Sequence, residues 1–197
     1  MEQLTIETAL AATRFWLQNV VIGENFCPFA KREFERQTIR YVSCDMHSID
    51  QQAEMVLQEC AYLENNSAVE TTLIIYHPAH REVAQAQHNI YNFDDYLVLA
   101  ELAQSTKTRA GYDGLFQLAT FHPDYCFAGE PAHDASNFTN RSPLPTLHII
   151  REASIDRALK TYKNPEQIPA VNIERARALG TGYFENWLAK AFRASSQ

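Results

Sequence analysis

The sequence predicts an α/β fold, a small layered domain with about four mostly parallel strands flanked by helices and extended by a helix at each end. Three observations lead there. Short β-branched and apolar runs alternate with longer stretches of helical periodicity. The run Thr71–Tyr76 is continuous rather than alternating, as in a strand buried on both faces. Proline, glycine and asparagine punctuate the junctions.

Residues 4–22 form the first predicted helix, with Ile6, Leu10, Leu17 and Val21 on one stripe and Gly23 as its stop. Pro28 suits the first position of a second, short helix, where its missing N–H is no loss. Thr38 to Cys44 reads as the first strand. Ser48 and Gln51 then make a capping box for a helix over residues 48–64. The second strand, Thr71–Tyr76, ends at His77-Pro78, and the polar stretch 79–91 carries no clear period. Asn92 caps a helix in which Phe93, Tyr96, Leu97, Ala100 and Ala103 share a face. Gly111 and Gly114 turn the chain into a third strand, Leu115–Phe121, which ends at His122-Pro123. A loop without periodicity runs from Asp124 to Pro145. The fourth strand is Thr146–Arg151, and Ser154 caps a helix through Tyr162. Helices over Asn172–Leu179 and Tyr183–Phe192 complete the chain. Because a non-helical loop precedes it, the last strand is the one expected to run antiparallel. A thioredoxin-like order, β-α-β-α-β-β-α, is one matching template, and an open flavodoxin-like sheet is another.

A length of 197 residues fits one domain, 1–197, made of a helix over 1–22, a core over 38–162 and a helical tail over 172–193. The net charge of −7 disfavours nucleic acid and anionic membranes as partners, since both need clustered positive charge. No apolar run approaches the roughly 18 residues of a membrane-spanning helix. The acidic start, Met1 to Glu7, lacks a secretory n-region, and Cys27, Cys44, Cys60 and Cys126 lie scattered. Both point to the cytoplasm. With neither GxGxxG nor GxxxxGK present, no nucleotide cofactor is expected, and no cofactor of another kind is signalled. No tight metal motif exists, although His77, His122, Asp124, His133 and His148 form a loose nitrogen and oxygen set. His148, inside a strand, reads as a core histidine.

Ligands of open parallel sheets bind outside the carboxyl ends of the strands. His77 and His122 each end a strand there, so both imidazoles are expected in one crevice. His122 is the acid/base candidate, since an imidazole titrates near neutral pH. Asp124 is placed to orient it. Asn140 and Arg141 return to the same edge just before Pro143 and Pro145, and a guanidinium can hold a carboxylate or phosphate by two parallel hydrogen bonds. Arg151 and Glu152, ending the fourth strand, complete the anion-holding set. The bland alternative is a salt-bridge network among Asp134, Arg141, Arg151 and Glu152. Cys27 is a second catalytic candidate, because a helix start with Lys31 and Arg32 behind it lowers a thiol pKa.

Several phrases are long enough to carry a family resemblance: Phe26-Cys27-Pro28-Phe29-Ala30, Glu70-Thr71-Thr72-Leu73, Phe121-His122-Pro123-Asp124-Tyr125, Asn137-Phe138-Thr139-Asn140-Arg141-Ser142-Pro143 and Leu147 through Ser154. On these the chain resembles the bacterial family called domain of unknown function 1415, over nearly its whole length. Phe138 and Leu144 stand where that family favours Tyr, and Glu130 to His133 departs from its usual loop. The resemblance implies membership and assigns no catalytic residue. The expected function is an enzyme acting on a small anionic substrate by histidine acid/base chemistry. A thiol-dependent redox protein using Cys27 and a non-catalytic ligand-binding or interaction module are the alternatives.

Overall fold

A computed structural model describes residues 4–77, 89–160 and 162–194. Most of the aperiodic stretch 79–91 therefore lies outside the described residues. The helices are α1 (Ile6–Trp16), α2 (Ala30–Glu35), α3 (Ile49–Asn65), α4 (Phe93–Arg109), α5 (Glu152–Leu159), α6 (Ile168–Leu179) and α7 (Thr181–Ala194). The strands are β1 (Ile39–Cys44), β2 (Thr71–Tyr76), β3 (Phe116–Phe121) and β4 (Thr146–Arg151).

The four strands form one sheet in the order β1-β2-β4-β3. β1 and β2 are parallel, whereas β4 is antiparallel to both of its neighbours. The expected mostly parallel sheet is thus corrected, and the thioredoxin-like order is not confirmed. The reason lies in the connection. The chain leaves β3 through a loop without a crossover helix, so β4 returns beside it in the opposite direction. β1, β2 and β3 still point the same way, which brings their carboxyl ends and the start of β4 to one edge.

Both faces of the sheet are covered. Ile74, Tyr76, Phe116, Leu147 and Ile149 pack with Val56, Cys60, Tyr96 and Leu99 of α3 and α4. On the opposite face Leu73 and Ile75 pack with Ala9 and Trp16 of α1 and with Leu17 just after it. Two covered faces explain why every residue of β2 is buried. Phe15 meets the Trp187 ring of α7 at a tilt, so the last helix packs on the first, as its aromatic face implies.

Local rules hold unevenly. Thr5 and Asn92 cap α1 and α4 through their side-chain oxygens. Ser48 precedes α3 but its hydroxyl makes no cap; Gln52 instead donates to the Met46 carbonyl. Ser154 is inside α5, bonded to Glu70, and Arg151 occupies the cap position. The predicted first helix continues beyond Trp16 as a π-helical segment, Leu17–Ile22, ending at Gly23. Such segments insert extra residues into helical turns. Pro28 is not the first residue of α2, which begins at Ala30.

Candidate functional site

The edge that gathers the carboxyl ends of β1, β2 and β3 is crossed by the segment 122–145. His122 extends the β3–β4 ladder: its N–H donates to the Asn140 carbonyl at 3.2 Å, and its carbonyl accepts from Ser142 at 3.4 Å. The imidazole is fully buried, against the rings of both Phe93 and Tyr96. Nε2 meets the Ile90 carbonyl at 3.1 Å, and Nδ1 accepts from the Asp124 backbone N–H at 3.0 Å. Those partners assign the proton to Nε2. Burial pushes the imidazole below its ordinary pKa, outweighing the Ile90 hydrogen bond and the nearby Asp124 charge. His122 therefore bolts the approach to α4 onto the end of β3. Asp124 does orient the imidazole, but through its backbone.

Loop residues 124–142 are held from within. Asn137, fully buried, accepts from Phe127 N–H and donates to the Pro131 and Ala132 carbonyls. Asp134 caps a 3₁₀ turn, Ala135–Thr139, by accepting from Ser136 N–H. Asn140 donates to the Thr120 carbonyl at 3.0 Å. Arg141 Nε donates to the Tyr125 carbonyl at 3.1 Å and Nη2 to the Ala132 carbonyl at 2.7 Å. Its guanidinium carbon lies 4.6 Å from the centroid of Phe138. A nonhelical loop folded against the body must find donors for its carbonyls, and here side chains provide them. Tyr125 links the two main candidates, since its N–H donates to the His122 carbonyl while its own carbonyl accepts from Arg141.

The structure thus assembles His122, Asp124, Asn140 and Arg141 in one loop. The other candidates lie elsewhere. Arg151 ends β4 and Glu152 opens α5, and because β4 runs backward they fall at the opposite edge, about 17 Å along the strand. There Arg151 donates to the carbonyls of Leu63, Asn66 and Val69, closing the end of α3, and Glu152 N–H bonds Leu115. The expected joint grip of Arg141 and Arg151 on one anion is corrected by strand direction. The alternative network fails for the same reason, and Asp134 pairs instead with Arg177 of α6, which the sequence reading passed over. No local signal marks an arginine 43 residues from its carboxylate.

His77 reaches the expected edge but not the expected crevice. Alternation from Leu73 and Ile75 puts it on the α1 face, whereas His122 meets Phe93 and Tyr96 on the α4 face. It is buried, and neither ring nitrogen has a partner among the described residues. His148 is a core histidine, its Nε2 against the Thr71 hydroxyl. Among the described residues no group of three or more His, Cys, Asp or Glu is arranged to hold a metal.

Cys27 follows the π segment, three residues ahead of α2. Phe29 and Ala30 do offer backbone N–H groups to its sulfur, but burial dominates and raises the thiol pKa. That reverses the expected activation. Among the described residues no helix is long and apolar enough to cross a membrane.

No curated protein and no solved structure matches the chain. A family model described as a protein of unknown function, DUF1415, matches residues 8–186. With the match spanning nearly every element from α1 into α7, the chain belongs to the DUF1415 family.

Proposed function

We propose that this protein is a non-catalytic binding module for a small carboxylate- or phosphate-bearing molecule, with the loop 122–145 as receptor and Arg141 as the group that holds the anion. One observation carries this reading. The guanidinium is fixed at Nε and one Nη2 hydrogen by two carbonyls and laid on Phe138, while Nη1 and the second Nη2 hydrogen have no partner among the described residues. The end-on edge of the fork is therefore pre-positioned, and ordering a receptor before binding reduces the entropy lost on association. Catalysis by His122 finds less support, since both ring nitrogens are engaged and the ring is buried. Redox chemistry at Cys27 is opposed by its raised thiol pKa. We read the chain as one cytoplasmic domain. All four cysteines are unpaired, the state a reducing compartment maintains.

The test is a titration of the isotope-labelled protein with inorganic phosphate and with acetate, followed by the Arg141 side-chain resonance. The expected outcome is a saturable shift at Arg141 and in residues 125–132, abolished in Arg141→Lys, because an ammonium cannot reproduce a planar fork. No shift at Arg141, or the same response in Arg141→Lys, would reject the reading.

A further inference from the structure

We infer that Arg177, on α6, is the positioning residue that aims Arg141, so that the helical tail is part of the receptor; the inference rests on the anion-binding reading. Arg177 Nε donates to both carboxylate oxygens of Asp134, at 3.0 and 3.2 Å, and its Nη2 donates to Glu130 at 2.8 Å. Glu130 and Asp134 are the two ends of a short turn. Between them lies Ala132, whose carbonyl receives Nη2 of Arg141 at 2.7 Å. One guanidinium thus grips both ends of the turn that fixes the other. Asn137 Nδ2 supports the same turn from inside, at the Pro131 and Ala132 carbonyls.

The pairs are half exposed, with side-chain exposures of 46% for Arg177, 33% for Glu130 and 21% for Asp134. Isolated ion pairs of that exposure contribute little to stability, and a network of three charges contributes more. The network also determines where the Ala132 carbonyl stands. Two carboxylates already balance the charge of Arg177, whereas Arg141 is held by neutral carbonyls, so Arg177 acts through Arg141 rather than on the anion. The sequence separation between α6 and the loop makes this an inter-element contact, able to transmit a shift of the helix to the receptor.

Arg177→Gln separates the possibilities. The thermal midpoint is expected to stay close to that of the unaltered protein. The Arg141 Nε–H resonance, protected by the Tyr125 carbonyl, is expected to exchange faster with water. Phosphate affinity should fall about tenfold, the size of coupling between members of one hydrogen-bond network. Glu130→Ala removes only the Nη2 contact and gives the same change in smaller measure, which serves if Arg177→Gln unfolds the chain. Unchanged Arg141 protection in either folded variant overturns the inference. Faster exchange in the variant, together with no phosphate response in the unaltered protein, would retain the positioning role and reject the anion reading alone.

Discussion

At Gly23 the chain leaves the π segment with no room for a side chain. A Cβ there would stand 2.3 Å from the Asn19 carbonyl oxygen, which is backbone and cannot swing aside. Alanine is ordinarily the better helix residue, by about 1 kcal/mol, but the clash dominates here. Gly23→Ala is expected to destabilise the protein by about 1–3 kcal/mol, measured by urea unfolding; an equal or higher midpoint would show that the π turn yields. The sequence marks Gly23 as a stop, and Asn92 as a cap, because those roles depend on neighbours a few residues away. It cannot mark the aim of Arg141. A cluster of polar side chains in a loop looks the same whether it faces a ligand or feeds the loop's own carbonyls, and most of this one does the latter.

Among the elements, α7 shows what amphipathic spacing conveys. Its aromatic face is legible in Tyr183, Phe184 and Trp187, and that face meets Phe15 of α1, Phe26 and Phe138. Phe184 is 1% exposed and stacks on Phe138, the ring beneath Arg141. Phe184→Ala is expected to lower stability by about 3–5 kcal/mol through lost transfer energy and a cavity, and calorimetry checks it. A loss under about 1 kcal/mol would mean that α7 docks only loosely. Element type was legible wherever a helix or strand buries one consistent face; β2 and β4 have the predicted bounds. Starts and stops were less so. The Ser48 box and the Ser154 cap are sound local patterns that other bonds replace, Gln52 reaching back to Met46 nearby and Glu70 engaging Ser154 from across the fold.

Over the whole molecule, two histidines with lowered pKa values, His122 and the half-buried His148, give stability a dependence on pH. His122 lies below its ordinary value of 6.5, and burial takes His148 down to about 4. A base whose folded pKa is depressed favours the neutral folded form, so its contribution is whole above about pH 6.5 and is lost as the pH falls toward the folded value. Urea midpoints should therefore drop between pH 7 and pH 4.5, and His148→Gln should flatten that slope; parallel slopes would refute the assignment. The sheet's composition was legible at this scale and its order was not, since nothing in a strand's own residues states which neighbour it will have. The interior place of β4 has a consequence for synthesis. A nascent chain that has emerged as far as Pro145 holds β1 and β2 as a ribbon and β3 with no neighbour, because β3 pairs in this sheet with β4. Until the next six residues arrive, β2 and β3 both carry open edges, the kind that recruit strands from other chains. A ribosome pausing just before β4 would thus expose the protein's most adhesive form, and a chaperone would have most to do in that interval.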